Sequence, residues 1–199
     1  MNYRMTITEN LKTISSKLPE HVTLVAVSKT KPVSDLMEAY AAGQRVFGEN
    51  KIQEMAEKRQ QMPDDVEWHM IGHVQRNKVK YMAEFVSLIH GIDSLKLLKE
   101  VDKQAKKHER IINCLLQIKI AEEDSKFGMN PEDAKHLVQS EEFLSLNNVC
   151  ITGVMGMATF TDDMSQVEKE FNTLKSTFDE LKTVANHRTD WQIISMGMR

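Results

Sequence analysis

Cysteine is nearly absent from this 199-residue chain, which has only Cys114 in "IINCLLQI" and Cys150 in "NNVCITGV". A disulfide framework needs more cysteines in a shorter chain, so two reduced core thiols are expected. Proline and glycine are also scarce, at 4 and 8 residues, and no Gly/Ser/Pro-rich stretch divides the chain. One domain spanning residues 1–199 is therefore expected. Apolar runs are short, and none approaches the ~20 residues of a membrane-crossing helix. The opening "MNYRMTITENLKTI" lacks the apolar core of a secretory signal, so a cytoplasmic protein is expected. Positive charge is not in excess. The formal net charge is −3, and the basic stripe of a nucleic-acid scaffold is missing.

What is present is an alternation. After an amphipathic helix at about 7–18, short apolar runs appear at 22–28, 45–49, 67–72, 85–92, 112–120, 149–156 and 191–197. Helical patterns separate them, among them 94–109 and 163–184. The second places Val167, Phe171, Leu174, Phe178 and Leu181 at 3–4-residue spacing, one apolar stripe on a helix. Asn130 and Asp163 read as helix caps, and Pro131 suits a first helical turn. Near-continuous apolar strands alternating with helices mean a parallel sheet covered by helices. The G-x-G-x-x-G of a dinucleotide-binding sheet is missing after the first strand, and "GVMGMA" is only G-x-x-G. Of a doubly wound open sheet and a barrel, the barrel is favoured: the expected fold is α/β, a (β/α)8 TIM-type barrel with an extra N-terminal helix, of which seven strands are read in this sequence.

Polar residues that interrupt the apolar pattern gather at strand C-terminal ends: Lys29 and Lys31, Glu49 and Asn50, Gly72, Gln75 and Asn77, Ser125 and Lys126, and Ser195. In a parallel barrel these ends share one face, where such folds place their sites. In "VAVSKTKP", Val25, Val27 and Lys29 fall on one side of an extended strand. If that side faces the barrel interior, desolvation and the nearby Lys31 push the Lys29 amine toward its neutral, nucleophilic form. His69 and His73 are four apart but on a strand–turn pattern, with no acidic residue to complete a zinc signature, so no metal site is expected. Trp68 and Trp191 read as packing residues, the run 103–110 as a solvated helix face, and most of the thirteen methionines as core.

Together "VAVSKTKP", "FGEN", "WHMIGHVQRNK", "EDSKFG", "GVMGMA" and "ISMGM" resemble the pyridoxal phosphate homeostasis protein family, whose barrel is of the alanine racemase N-terminal type. The motifs run in family order from residue 24 to 198. The resemblance implies that Lys29 holds pyridoxal 5′-phosphate as an aldimine and that Asn50 lies close to the cofactor ring. It further implies that Ser195, with Met196 and Gly197, contributes to the phosphate cradle. Lys31, Lys126 and His69 are implied only as accessory residues, and no residue is expected to be catalytic. His73 departs from the family, which usually carries an apolar residue there. Family chains also continue past "SMGMS" to a strand resembling "GSTMVRIGTAIFG", which would supply the eighth strand and an arginine for the pyridine nitrogen. The expectation is that the natural protein extends beyond Arg199 or that this form binds the cofactor weakly.

Two classes of function remain. One is a binding protein that buffers or delivers the cofactor, with PLP-dependent enzymes as recipients. The other is a PLP-dependent amino-acid racemase. Two-base racemization needs a second acid/base, which racemases draw from an added domain across a dimer. The available tyrosines, Tyr3, Tyr40 and Tyr81, lie away from the strand C-terminal ends. A monomeric binding protein without an efficient reaction of its own is the expectation.

Overall fold

A computed structural model describes residues 6–121 and 127–198. Seven strands form one sheet: β1 (Ala26–Val27), β2 (Val46–Glu49), β3 (Glu67–Met70), β4 (Leu88–Ile92), β5 (Ile112–Ile118), β6 (Val149–Ala158) and β7 (Thr189–Met198). They lie in chain order, each parallel to the next. The helices are α1 (Ile7–Ser15), α2 (Val33–Ala41), α3 (Ile52–Arg59), α4 (Leu95–Lys107), α5 (Pro131–Gln139), α6 (Glu141–Leu144) and α7 (Met164–Lys182). A 3₁₀ segment, Arg76–Tyr81, stands between β3 and β4. This is the curled α/β barrel architecture that the alternation predicts, and β1 and β7 are its two edges among the described residues.

Local chemistry explains the boundaries. The Asn130 side chain accepts from the Asp133 amide with Pro131 behind it, and Asp163 accepts from Ser165 and Gln166, so both predicted caps form. Thr6 and Glu9 add a capping box to α1. The first strand is shorter than its apolar run. Ladder pairing reaches only Ala26 and Val27. The carbonyl of Leu24 is satisfied instead by the buried Gln44 side-chain amide at 2.8 Å.

Two apolar layers result. The larger fills the space between sheet and helices and includes Trp68, Phe47, Val101, Phe143, Leu174 and Trp191. The smaller, Leu88, Leu115 and Met155 with Met157 against them, lies on the other face of the sheet, the barrel interior. Parallel register aligns Val27, Gly48, His69 and Leu88 in one row on this inner face. Gly48 has a local reason here: a Cβ would come within 2.9 Å of the side chains of both Val25 and Ile71. Cys114 is buried as expected, but Cys150 is only partly so, because it sits one residue into β6 with its side chain toward the chain's Arg188–Asp190 segment. Of the charged run 103–110, Lys103, Lys106 and Lys107 are exposed. Its last member is not merely solvated: Arg110 donates to the carbonyls of Ala83 and Val86.

Candidate functional site

The first strand delivers its lysine into a turn rather than along an extension. Ser28 still donates its amide to Gly48 of β2, but the Lys31 amide then closes back onto the Ser28 carbonyl at 3.0 Å. Lys29 and Thr30 are the two central residues of that turn, and Thr30 has φ +64°. This left-handed conformation suits glycine, and a β-branched residue pays for it with strain of about 1–2 kcal/mol. Three buried side chains, Ser28, Glu49 and Lys58, and the half-buried Glu54 hold it there. The Ser28 hydroxyl donates to Glu49 Oε1 at 2.6 Å, Lys58 Nζ donates to the Ser28 carbonyl at 2.7 Å, and the Thr30 amide donates to Glu54 Oε1 at 2.6 Å.

Lys58 ties this network together. From α3 it reaches Glu49 Oε1 and Glu54 Oε1, each at 2.7 Å. Lys58 is 6% exposed and Glu49 is 0% exposed, so this is an ion pair inside the protein. Burial pushes the Glu54 carboxyl up, but hydrogen bonds from Lys58 and from the Thr30 amide outweigh it and hold the group below its ordinary value. The desolvated lysine beneath the rim is therefore Lys58. Lys29 is exposed, as are Lys31 and Thr30, which corrects the expected desolvation of Lys29. The reason is structural: the inner row ends in Val27, itself 54% exposed on an edge strand, so among the described residues the next position of that row lies open. Lys29 makes no ion pair with the described residues, and its amine is available.

On the other side of the sheet a neutral chain runs beneath the rim. His69 on β3, His90 on β4 and Ser195 on β7 are joined end to end: His69 Nδ1 to His90 Nε2 at 3.0 Å, and His90 Nδ1 to Ser195 Oγ at 2.9 Å. On a flat sheet β4 and β7 would stand three spacings apart, about 14 Å, too far for a histidine and a serine to touch. Their contact shows how strongly the sheet curls. Burial lowers His69 to about 4 and, with the neighbouring His69 adding to it, His90 to about 3, so both rings are neutral at neutral pH.

The remaining predicted residues distribute around the same ends. Asn50 follows β2 and is half-buried; its backbone is so close to Gly72 that a Cβ there would stand 2.4 Å from the Asn50 carbonyl oxygen. Gly197 is open: an added Cβ would meet only Met157 Cγ at 3.6 Å and the Gly156 carbonyl oxygen at 4.0 Å. Met196 is 50% exposed. Ser125 and Lys126 lie outside the described residues. His73 stacks on Phe127 with ring centroids 4.1 Å apart and approaches Asp93 at 3.5 Å. Tyr40 donates to Asp65 at 2.6 Å, and Asp65 precedes β3, at the end of the sheet opposite the rim. Among the described residues no group of three metal-ligating side chains forms, and no helix is long and apolar enough to cross a membrane.

Sequence reasoning missed Lys58, Glu54 and His90. An i,i+4 Glu–Lys pair on a surface helix ordinarily reads as solvated, and His90 sits in the apolar run "FVSLIHGI" with no nearby partner in the sequence. The one available signal was the polar atom itself, a histidine at an inner position of a strand. Chemically, the rim offers a free amine on a rigid turn, a hydroxyl supported from behind by a histidine, and open backbone at Gly197. An aldehyde carrying an anionic tail fits that donor set: the amine for the carbonyl carbon, the hydroxyl and open glycine for the anion.

Comparison with known proteins agrees with this fold. The family described as "Alanine racemase, N-terminal domain" matches residues 4–198. The pyridoxal phosphate homeostasis protein of Pasteurella multocida is 39% identical over 98% of this chain and 88% of its own. That of Haemophilus influenzae is 36% identical over 98% and 86%. Among solved structures, PipY of Synechococcus elongatus without PLP superposes with a TM-score of 0.89 at 34% identity, covering 97% of this chain and 89% of its own. PipY with PLP bound gives 0.86 at 33% identity over the same shares. An alanine racemase of Clostridium difficile shares the fold, with a TM-score of 0.78 at 15% identity over 96% of this chain and 50% of its own. Matched over nearly its whole length by these relatives, the chain belongs to the pyridoxal phosphate homeostasis protein family, built on the alanine racemase N-terminal barrel.

Proposed function

We propose that this protein binds pyridoxal 5′-phosphate at the rim and serves its homeostasis, holding the cofactor without an efficient reaction of its own. The observation that carries the reading is the hydrogen-bonded Ser28–Lys31 turn, which presents Lys29 as an exposed amine with no ion pair among the described residues, at the same end of the sheet as Ser195 and Gly197. Bound there, pyridoxal phosphate supplies an aldehyde that a lysine amine captures covalently and reversibly. Lys29 is the capturing amine. Ser195, Met196 and Gly197 hold the phosphate, Asn50 lies beside the ring, and Lys31, Lys126 and His69 are accessory. PipY, whose structure was solved with PLP bound, supports the cofactor, and the relatives' shared name supports homeostasis over racemization. In this reading residues 1–199 belong to one barrel domain, the protein is monomeric and cytoplasmic, and PLP-dependent enzymes are its recipients. Against the racemase alternative, Tyr40, one candidate second base, is committed to Asp65 away from the rim.

Borohydride reduction of the protein mixed with PLP, followed by peptide mapping, tests the assignment. The pyridoxyl group is expected on Lys29 and is lost in Lys29→Ala, whose stability stays within about 0.5 kcal/mol of wild type because the side chain is exposed. A label on Lys31 with Lys29 unmodified overturns it. Exchange of the α-hydrogen of alanine at enzymatic rates, lost in Lys29→Ala, restores the racemase.

A further inference from the structure

His90 has no part in the reading above and His69 only an accessory one, yet the pair they form ends on the serine assigned to the phosphate. Two neutral imidazoles joined through one N···N contact have one proton between them, and that constraint propagates. In one order His69 Nδ1–H donates to His90 Nε2, and His90 Nδ1–H donates to Ser195 Oγ. The serine hydroxyl then has an accepted bond and a free O–H. In the other order the Ser195 O–H donates to His90 Nδ1, and His90 Nε2–H donates to His69 Nδ1. The serine then faces outward with lone pairs only. An anion needs the first order.

We propose that His69 and His90 are positioning residues that set the polarity of Ser195, and that an anion arriving at the rim fixes both rings as Nδ1–H tautomers so that the serine donates outward. This rests on the assignment of Ser195 to the phosphate. The conversion balances without net charge. The serine proton passes to His90 Nδ1, the His90 Nε2 proton passes to His69 Nδ1, the His69 Nε2 proton leaves to water, and Ser195 Oγ regains one from water. Each ring stays neutral, and four bonds to hydrogen break as four form, one of each on water. The outer end of the chain permits this: His69 keeps 8% of its surface exposed, and its Nε2 has no hydrogen-bond partner among the described residues. Neutrality also matters to release. A buried imidazolium would bind the anion as an ion pair, whereas oriented dipoles hold it and let it go, which suits a carrier.

Long-range ¹H–¹⁵N correlation of the histidine rings in the full chain tests this, with inorganic phosphate, pyridoxal and PLP as three separate probes. Phosphate and PLP are expected to drive both rings to the Nδ1–H form; pyridoxal, without the anion, leaves them as in the free protein. His90→Phe is expected to weaken PLP about tenfold, the size of one hydrogen bond to a charged group, and pyridoxal by less than twofold. His90→Asn, whose amide can stand in for Nδ1–H, recovers most of the loss. Saturation by PLP without a tautomer change overturns the proposal and leaves the cofactor assignment standing, as does an equal loss of pyridoxal and PLP in His90→Phe. Failure of wild type to be labelled at Lys29 while phosphate still sets the tautomers overturns the lysine assignment alone. Absence of any binding overturns both.

Discussion

On the β1–β2 side of the rim the buried polar groups are charged, a Lys58–Glu49 pair with Glu54 at its edge. On the β3–β4–β7 side they are neutral, His69 and His90 ending on Ser195. The difference follows from what each supports. The lysine turn contains a strained threonine and needs a partner strong enough to hold it; charge-assisted hydrogen bonds are about twice as strong as neutral ones. The serine needs a support that can reverse its direction, which an ion pair does not allow and a pair of imidazoles does. One cluster fixes a backbone; the other orients a proton.

The largest expected effect breaks the charged side. Lys58→Met leaves the fully buried Glu49 carboxylate, whose Oε2 already has no hydrogen-bond partner among the described residues, without its cation. Breaking such a pair costs about 3–5 kcal/mol, to be read from urea unfolding midpoints. The combined Glu49→Gln, Lys58→Met variant is expected to recover part of that, because no lone charge remains. Equal destabilization by the single and double variants would show that the amine's bond to the Ser28 carbonyl, and not the charge, is what matters.

The neutral side responds to pH instead. Above pH 6.5 both histidines are uncharged whether the chain is folded or not. Below it the unfolded chain takes up protons that the folded protein refuses until His69 and His90 titrate, at about 4 and about 3. Stability is therefore full above pH 6.5 and falls as pH drops toward those values, by up to about 1.4 kcal/mol per pH unit for each ring. Unfolding curves at pH 7 and pH 5 check this, and His90→Phe should flatten the dependence. A dependence unchanged by that variant would mean that carboxylates, not this pair, govern acid sensitivity.

The smallest effect sharpens the contrast at the turn itself. Thr30→Gly removes the cost of φ +64° but adds freedom to the unfolded chain, so a net gain of no more than about 1 kcal/mol is expected. Thermal unfolding measures it. A loss of stability would show that Thr30 is held by contacts worth more than its strain.

Much of the fold was legible because its signals are local. Apolar runs alternating with 3.6-period stripes, an Asn-Pro start and an Asp cap each act within a few residues, and all reappear in the structure. The ordered motifs were enough to identify the family. The exposure of Lys29 was not legible: alternation puts it in line with Val25 and Val27, but the turn and the edge position take it out of that row. Nor were the supports behind the two rim residues. Lys58 lies 29 residues from Lys29, and His90 lies 105 residues from Ser195. By itself, then, the sequence determined that strands and helices alternate, where helices start, and which residues collect at the strand ends. Only the curl of the sheet and the packing of α3 against it decided which lysine is buried, which is presented, and that two histidines and a serine share one line of hydrogen bonds. Those outcomes depend on contacts between distant segments, which propensity and periodicity cannot encode.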